Sequence, residues 1–132
     1  MKKLTREWLQ KAEEDLAAAK RLASGKPPLI NTACFHCQQA VEKFLKAFLQ
    51  EFDLEIPKIH ELDELLDLLL PKDATLEQIR PGLDDLTPFA VEYRYPGKKA
   101  SARETRSSLK LAENVRHEIR ARLGLRDRRR IR

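Results

Sequence analysis

Apolar residues recur every three or four positions along most of the chain, the spacing that places them on one side of an α-helix. Trp8, Ala12, Leu16, Ala19 and Ala23 share such a face, while Lys11, Glu14, Lys20 and Arg21 fall largely off it. This predicts a first helix from about Thr5 to Ser24. Gly25 is placed to stop it in a left-handed conformation, and Pro27-Pro28 prevents resumption. A second helix, about Leu29 to Phe52, carries a stripe of Ile30, Ala33, Cys34, Cys37, Val41, Phe44, Phe48 and Phe52. Phe35, Leu45 and Leu49 form a second apolar row beside it. Apolar over more than half its circumference, this helix is expected at the centre. Its remaining polar strip is His36, Gln39, Lys43, Lys46 and Gln50.

Asp53 to Ile59 reads as a loop containing Pro57. A third helix, about His60 to Leu70, presents Leu62, Leu65, Leu66 and Leu69 and stops before Pro71. Thr75 followed by Gln78 matches a capping box and opens a fourth helical pattern through Leu76, Ile79, Leu83, Leu86, Ala90 and Tyr93. Pro81-Gly82 and Pro88 interrupt that pattern, which predicts a kinked or broken helix ending near Tyr95-Pro96-Gly97. Ser101 with Glu104 is a second capping box, opening a fifth helix with Thr105, Leu109, Ala112, Val115, Ile119 and Leu123 inward and Gly124 as its stop. No strand alternation appears. Short connections favour antiparallel neighbours. The expected fold is all-α, a four- to five-helix up-and-down antiparallel bundle over 1–125, with a basic, disordered tail at 126–132.

Composition supports one domain: 132 residues, 42% hydrophobic and 36% charged, the charges reading as solvated helix faces. No apolar run approaches membrane-spanning length, and the charged N-terminus lacks the apolar stretch of a signal peptide. Two cysteines make no disulfide framework, and a reducing, cytoplasmic location is the simplest expectation. Charge is uneven. Residues 116–132 hold eight arginines against Glu118 and Asp127, a net of +6, so the body sums to −1 within the total of +5. The tail suits RNA or acidic partners through phosphate contacts, or simply solubility.

Candidate chemistry is sparse. Cys34, His36 and Cys37 have ligand-like side chains, but on a helix the cysteines point into the core stripe and His36 projects away from them. No second Cys/His pair completes four ligands, so no metal is expected. The strip of His36, Gln39, Lys43 and Lys46 fits a phosphate-binding cleft or an ordinary solvated face. Arg94, between Tyr93 and Tyr95, fits a phosphate clamp with a stacking neighbour, or a structural arginine capping helix carbonyls. His60 reads as a helix N-terminal residue and His117 as solvated. No Ser/His/Asp arrangement, paired-carboxylate motif or Gly-rich phosphate loop is present.

The segment Phe35-His36-Cys37-Gln38-Gln39-Ala40-Val41-Glu42-Lys43-Phe44-Leu45-Lys46-Ala47 resembles the second-helix signature of HEPN domains, the higher eukaryotes and prokaryotes nucleotide-binding family. The run Leu86-Thr87-Pro88-Phe89-Ala90-Val91-Glu92-Tyr93-Arg94-Tyr95-Pro96-Gly97 is similar to that family's fourth-helix ending. Trp8, Ala12, Asp15 and Leu16 fit its first helix, and His60 with Leu62 and Leu65 its third. The resemblance spans roughly Arg6 to Leu123. It implies a helical bundle, often a homodimer, frequently encoded beside a minimal nucleotidyltransferase in a toxin–antitoxin-like pair. It also implies a cleft for nucleotide or RNA and, in active members, a metal-independent ribonuclease built on an Arg-x4–6-His motif.

No arginine here is followed by histidine at that spacing. The leading expectation is therefore a non-catalytic, cofactor-free module that binds nucleotide or RNA. Arg94 clamps a phosphate, Lys43 and Lys46 supply positive potential, Tyr95 offers a stacking surface and His36 joins the site. Two other readings are a diverged ribonuclease and a purely structural dimerising subunit, the latter motivated by the wide apolar surface of helix two.

Overall fold

The computed structural model describes residues 1–125; the expected tail at 126–132 lies outside the described residues. The longest elements are α1 (Lys3–Ser24) and α2 (Ile30–Glu51). Cross-contacts fix their direction. Thr5 meets Glu51, Trp8 meets Lys46, and Asp15 meets both Lys43 and His36, so rising numbers on α1 face falling numbers on α2. The last long helix, α5 (Ala102–Arg122), also runs against α1: Glu13 meets Arg116 and Arg120, and Lys20 meets Glu113. Since both are antiparallel to α1, α2 and α5 run parallel. The intervening chain supplies the returning leg of an up-and-down bundle.

That leg begins with α3 (Leu62–Leu69), whose leucines at 62, 65, 66 and 69 are buried while Leu68 is exposed. It continues through a 3-10 helix at Ala74–Ile79, the single-turn α4 (Leu83–Leu86) and 3-10 turns at Thr87–Ala90 and Glu92–Arg94. The fourth helix is thus broken rather than kinked. Pro88 offers no backbone N–H to an α-helical ladder, so the chain tightens into 3-10 geometry. Gly82 enters α4 with φ of 92°, a left-handed backbone that a side-chain-bearing residue resists. The cap of the 74–79 element is Asp73, which accepts from the Thr75 N–H at 3.1 Å, and not Thr75 itself. Gly25 is also unlike its expectation: φ −69° and ψ 169° are extended, and the helix ends without a left-handed residue. The Ser101–Glu104 capping box is complete, with bonds of 3.0 and 2.8 Å.

Helix α2 is the core of the molecule. Phe44, Leu45, Leu49, Val41 and both cysteines are fully buried, covered by α1, α3 and α5. Its apolar surface is therefore consumed inside one chain, which removes the sequence argument for a second copy packed on helix two. The cysteines are core residues: Cys34 Sγ lies 3.6 Å from Thr105 Oγ1, and burial pushes both thiols up, Cys37 to about 12. Three of the arginines assigned to the basic C-terminal end are held by carboxylates of the bundle. Arg116 and Arg120 meet Glu13, and Arg122 meets Asp73 and Glu118. Among the described residues no helix is long and apolar enough to cross a membrane.

Candidate functional site

Asn31, in the first turn of α2, organises the loop that follows the broken helix. Its side-chain amide donates to the carbonyl oxygens of Tyr93 (3.4 Å) and Lys98 (3.2 Å), and its Oδ1 accepts from the Ala100 N–H at 2.7 Å. One side chain thus ties both ends of the 93–100 segment to the helix. The Arg94 guanidinium is delivered over the ring of Phe35, 5.2 Å from its centroid. Asn31, Thr32, Phe35, Tyr93 and Arg94 line a pocket of about 350 Å³. Arg94 is exposed, and among the described residues no carboxylate pairs with it. A guanidinium held on an aromatic face and left unneutralised is suited to bidentate phosphate contact.

The other expected site residues sit elsewhere. Lys43 donates to Asp15 Oδ2 at 2.6 Å, and the same carboxylate meets His36 Nδ1 at 2.8 Å. Lys46 is only 7% exposed, bonded to Glu42 at 2.9 Å and 5.9 Å from the centre of the Trp8 ring. The polar strip read from the sequence is therefore neither an open cationic cleft nor a solvated face. Its charges are neutralised against α1 and within α2. Phe35, beneath Arg94, is eight residues from Lys43 and eleven from Lys46, or about 12 and 16 Å along the helix axis. Tyr95 is 61% exposed beside Arg94, but it does not line the pocket. His36 touches the pocket only indirectly, its ring edge-on to Phe35 with centroids 5.4 Å apart.

Glu42 is a second carboxylate hub. It is 4% exposed and accepts from Gln38 (3.1 Å) and Lys46, while His60 Nδ1 stands 2.9 Å away. His60 is thus more than a helix-start residue: it ties the entry of α3 to α2. Sequence reasoning missed Asn31, whose signal is a polar residue in a helical first turn, and Glu42, whose signal is the i,i+4 spacing to Lys46.

The geometry agrees with what the chain resembles. The HEPN domain model matches residues 5–122. Among solved structures, an archaeal HEPN homologue superposes with a TM-score of 0.69 at 25% identity, covering 92% of this chain and 98% of that one. No curated protein matches the chain.

Proposed function

The chain belongs to the HEPN domain family, and from that premise we propose that it is a nucleotide- or RNA-binding module whose phosphate contact is Arg94. The observation that carries this reading is the unneutralised guanidinium on Phe35, in a pocket whose wall is tied down by Asn31. Tyr95 lies beside it as a stacking surface. Lys43 and Lys46 contribute through the fold, because their charges are already met by Asp15 and Glu42, and His36 is held at the same Asp15 carboxylate. Binding is the activity proposed, without cleavage, since no Arg-x4–6-His pair is present. Homodimerisation and pairing with a minimal nucleotidyltransferase in a toxin–antitoxin-like system extend the proposal on the strength of the family resemblance.

The test is titration of the purified protein with ATP and short RNAs. Arg94→Ala is expected to weaken binding at least about tenfold, the scale of one lost charge-assisted contact, while Lys43→Met leaves affinity unchanged. Equal affinity of Arg94→Ala and wild type would remove the site. Growth arrest with cleaved RNA on inducing the chain alone would replace the non-catalytic reading with the ribonuclease.

A further inference from the structure

The broken fourth helix leaves part of α5 uncovered. The returning leg meets α5 at two places. Gly82 stands against Leu111, where an added Cβ would lie 3.4 Å from Leu111 Cδ2, and the Tyr93 hydroxyl donates to Glu104 Oε2 at 3.5 Å. Between these contacts α4 and the turn at Thr87–Ala90 leave a groove of about 630 Å³ against α5. Pro88, Tyr93 and Leu111, each only partly buried, give it an apolar floor. Its size is that of a small-molecule site.

The two walls carry opposite charge. Asp84 and Asp85 line the α4 side, and Arg103 and Lys110 the α5 side. Glu104 lines the groove as well, but it is engaged in the Ser101 capping box, and Asp84 shares a hydrogen bond with Asp63. Asp85, Arg103 and Lys110 are exposed, and among the described residues no ion pair joins Asp85 to either cation. Opposite charges that face one groove without pairing leave space between them for a molecule that carries both signs. A polyanion would be repelled by the α4 wall and a polycation by the α5 wall.

We propose that this groove binds a short apolar peptide with free termini. Asp85 takes its ammonium, Arg103 and Lys110 its carboxylate, and Pro88, Tyr93 and Leu111 its side chains. A carboxylate suits the guanidinium fork of Arg103 and the point charge of Lys110. A dipeptide with two bulky side chains matches the volume, whereas a single amino acid would leave most of it to water. Tyr93 also lines the Arg94 pocket, but Arg94 does not line this groove, so the inference stands apart from the phosphate-binding reading.

The experiment titrates the full chain with the dipeptide Leu-Phe and with its N-acetyl and C-amide forms, followed by NMR chemical shifts. Leu-Phe is expected to shift the Tyr93 and Leu111 amides, and each capped form to bind about fivefold more weakly, the upper scale of one exposed ion pair. Asp85→Asn should weaken Leu-Phe by the same factor and leave the N-acetyl form unchanged. Arg103→Ala/Lys110→Ala should weaken Leu-Phe and leave the C-amide form unchanged. All three side chains are exposed, so these variants keep the fold. Capped forms that bind as well as Leu-Phe, or losses from capping and substitution that add where they should coincide, overturn the proposal. No shift with Leu-Phe at millimolar concentration, or its displacement by UMP, overturns the peptide site and leaves the Arg94 pocket standing.

Discussion

Asn31 accepts a hydrogen bond from the Ala100 backbone at 2.7 Å, joining the first turn of α2 to the residue just before the α5 cap. Sixty-nine positions of sequence are closed by that contact, and the Tyr93 and Lys98 carbonyls are held by the same amide. Asn31→Ala is expected to cost about 1–2 kcal/mol, the loss of a few partly exposed hydrogen bonds. It should also speed exchange of the Ala100 amide. Urea unfolding and amide exchange by NMR check the two effects. An unchanged Ala100 exchange rate would show that the loop is held by something else.

Glu42 and Lys46 form a buried ion pair, and such a pair is costly to break from one side. Glu42→Leu strands the Lys46 ammonium beside Trp8 and is expected to destabilise the fold by about 3 kcal/mol. Glu42→Leu/Lys46→Met removes both charges and should recover most of that loss. The comparison is made by denaturant titration of the two variants. If the double variant is as unstable as the single one, packing and not charge is the governing term.

Acid stability has a traceable origin at two sites. The hydroxyl and backbone N–H of Thr75, together with Arg122, hold the Asp73 carboxyl below its ordinary 3.8. The Lys2 backbone and the Thr5 hydroxyl do the same for Glu51, below 4.5. A depressed folded value means that the unfolded chain binds protons first as pH falls. The contribution is thus present above these ordinary values and is lost as pH falls through the lowered ones. Urea midpoints measured from about pH 5 to pH 2 should decline, and Asp73→Asn should flatten part of that decline.

The cysteines should be silent in the native state. Burial pushes Cys37 up to about 12 and raises Cys34, so neither presents a thiolate near neutrality. A thiol reagent such as DTNB at pH 8 is expected to label neither until the bundle opens. Rapid stoichiometric labelling of folded protein would contradict the packing of α2 on α5.

The long helices were legible from spacing because amphipathic periodicity and burial coincide in α1 and α5. The region from Ala74 to Arg94 was legible only as an interruption. Pro81, Gly82 and Pro88 announce that an α-helix cannot continue, yet the choice of 3-10 turns depends on how Leu83, Leu86 and Phe89 reach the core. For the site, Arg94 stood out because aromatic residues flank it. Its actual platform, Phe35, is 59 positions away and read as an apolar row. In the sequence Lys43 and Lys46 look like available charge, because a lysine beside polar neighbours ordinarily faces water. Asp15 on another helix, and Trp8 lying over Lys46, are facts of tertiary packing that no local spacing carries.

The enclosure of α2 has a consequence for how genetic screens on this protein would read. With neighbours on three sides, almost every substitution along its middle turns lowers the amount of folded protein. A survey scored on phenotype would therefore crowd its hits into 37–49, although the pocket touches this helix only between Asn31 and Phe35. Normalising each variant to its soluble abundance would move the weight of the map to Arg94 and the turn around it.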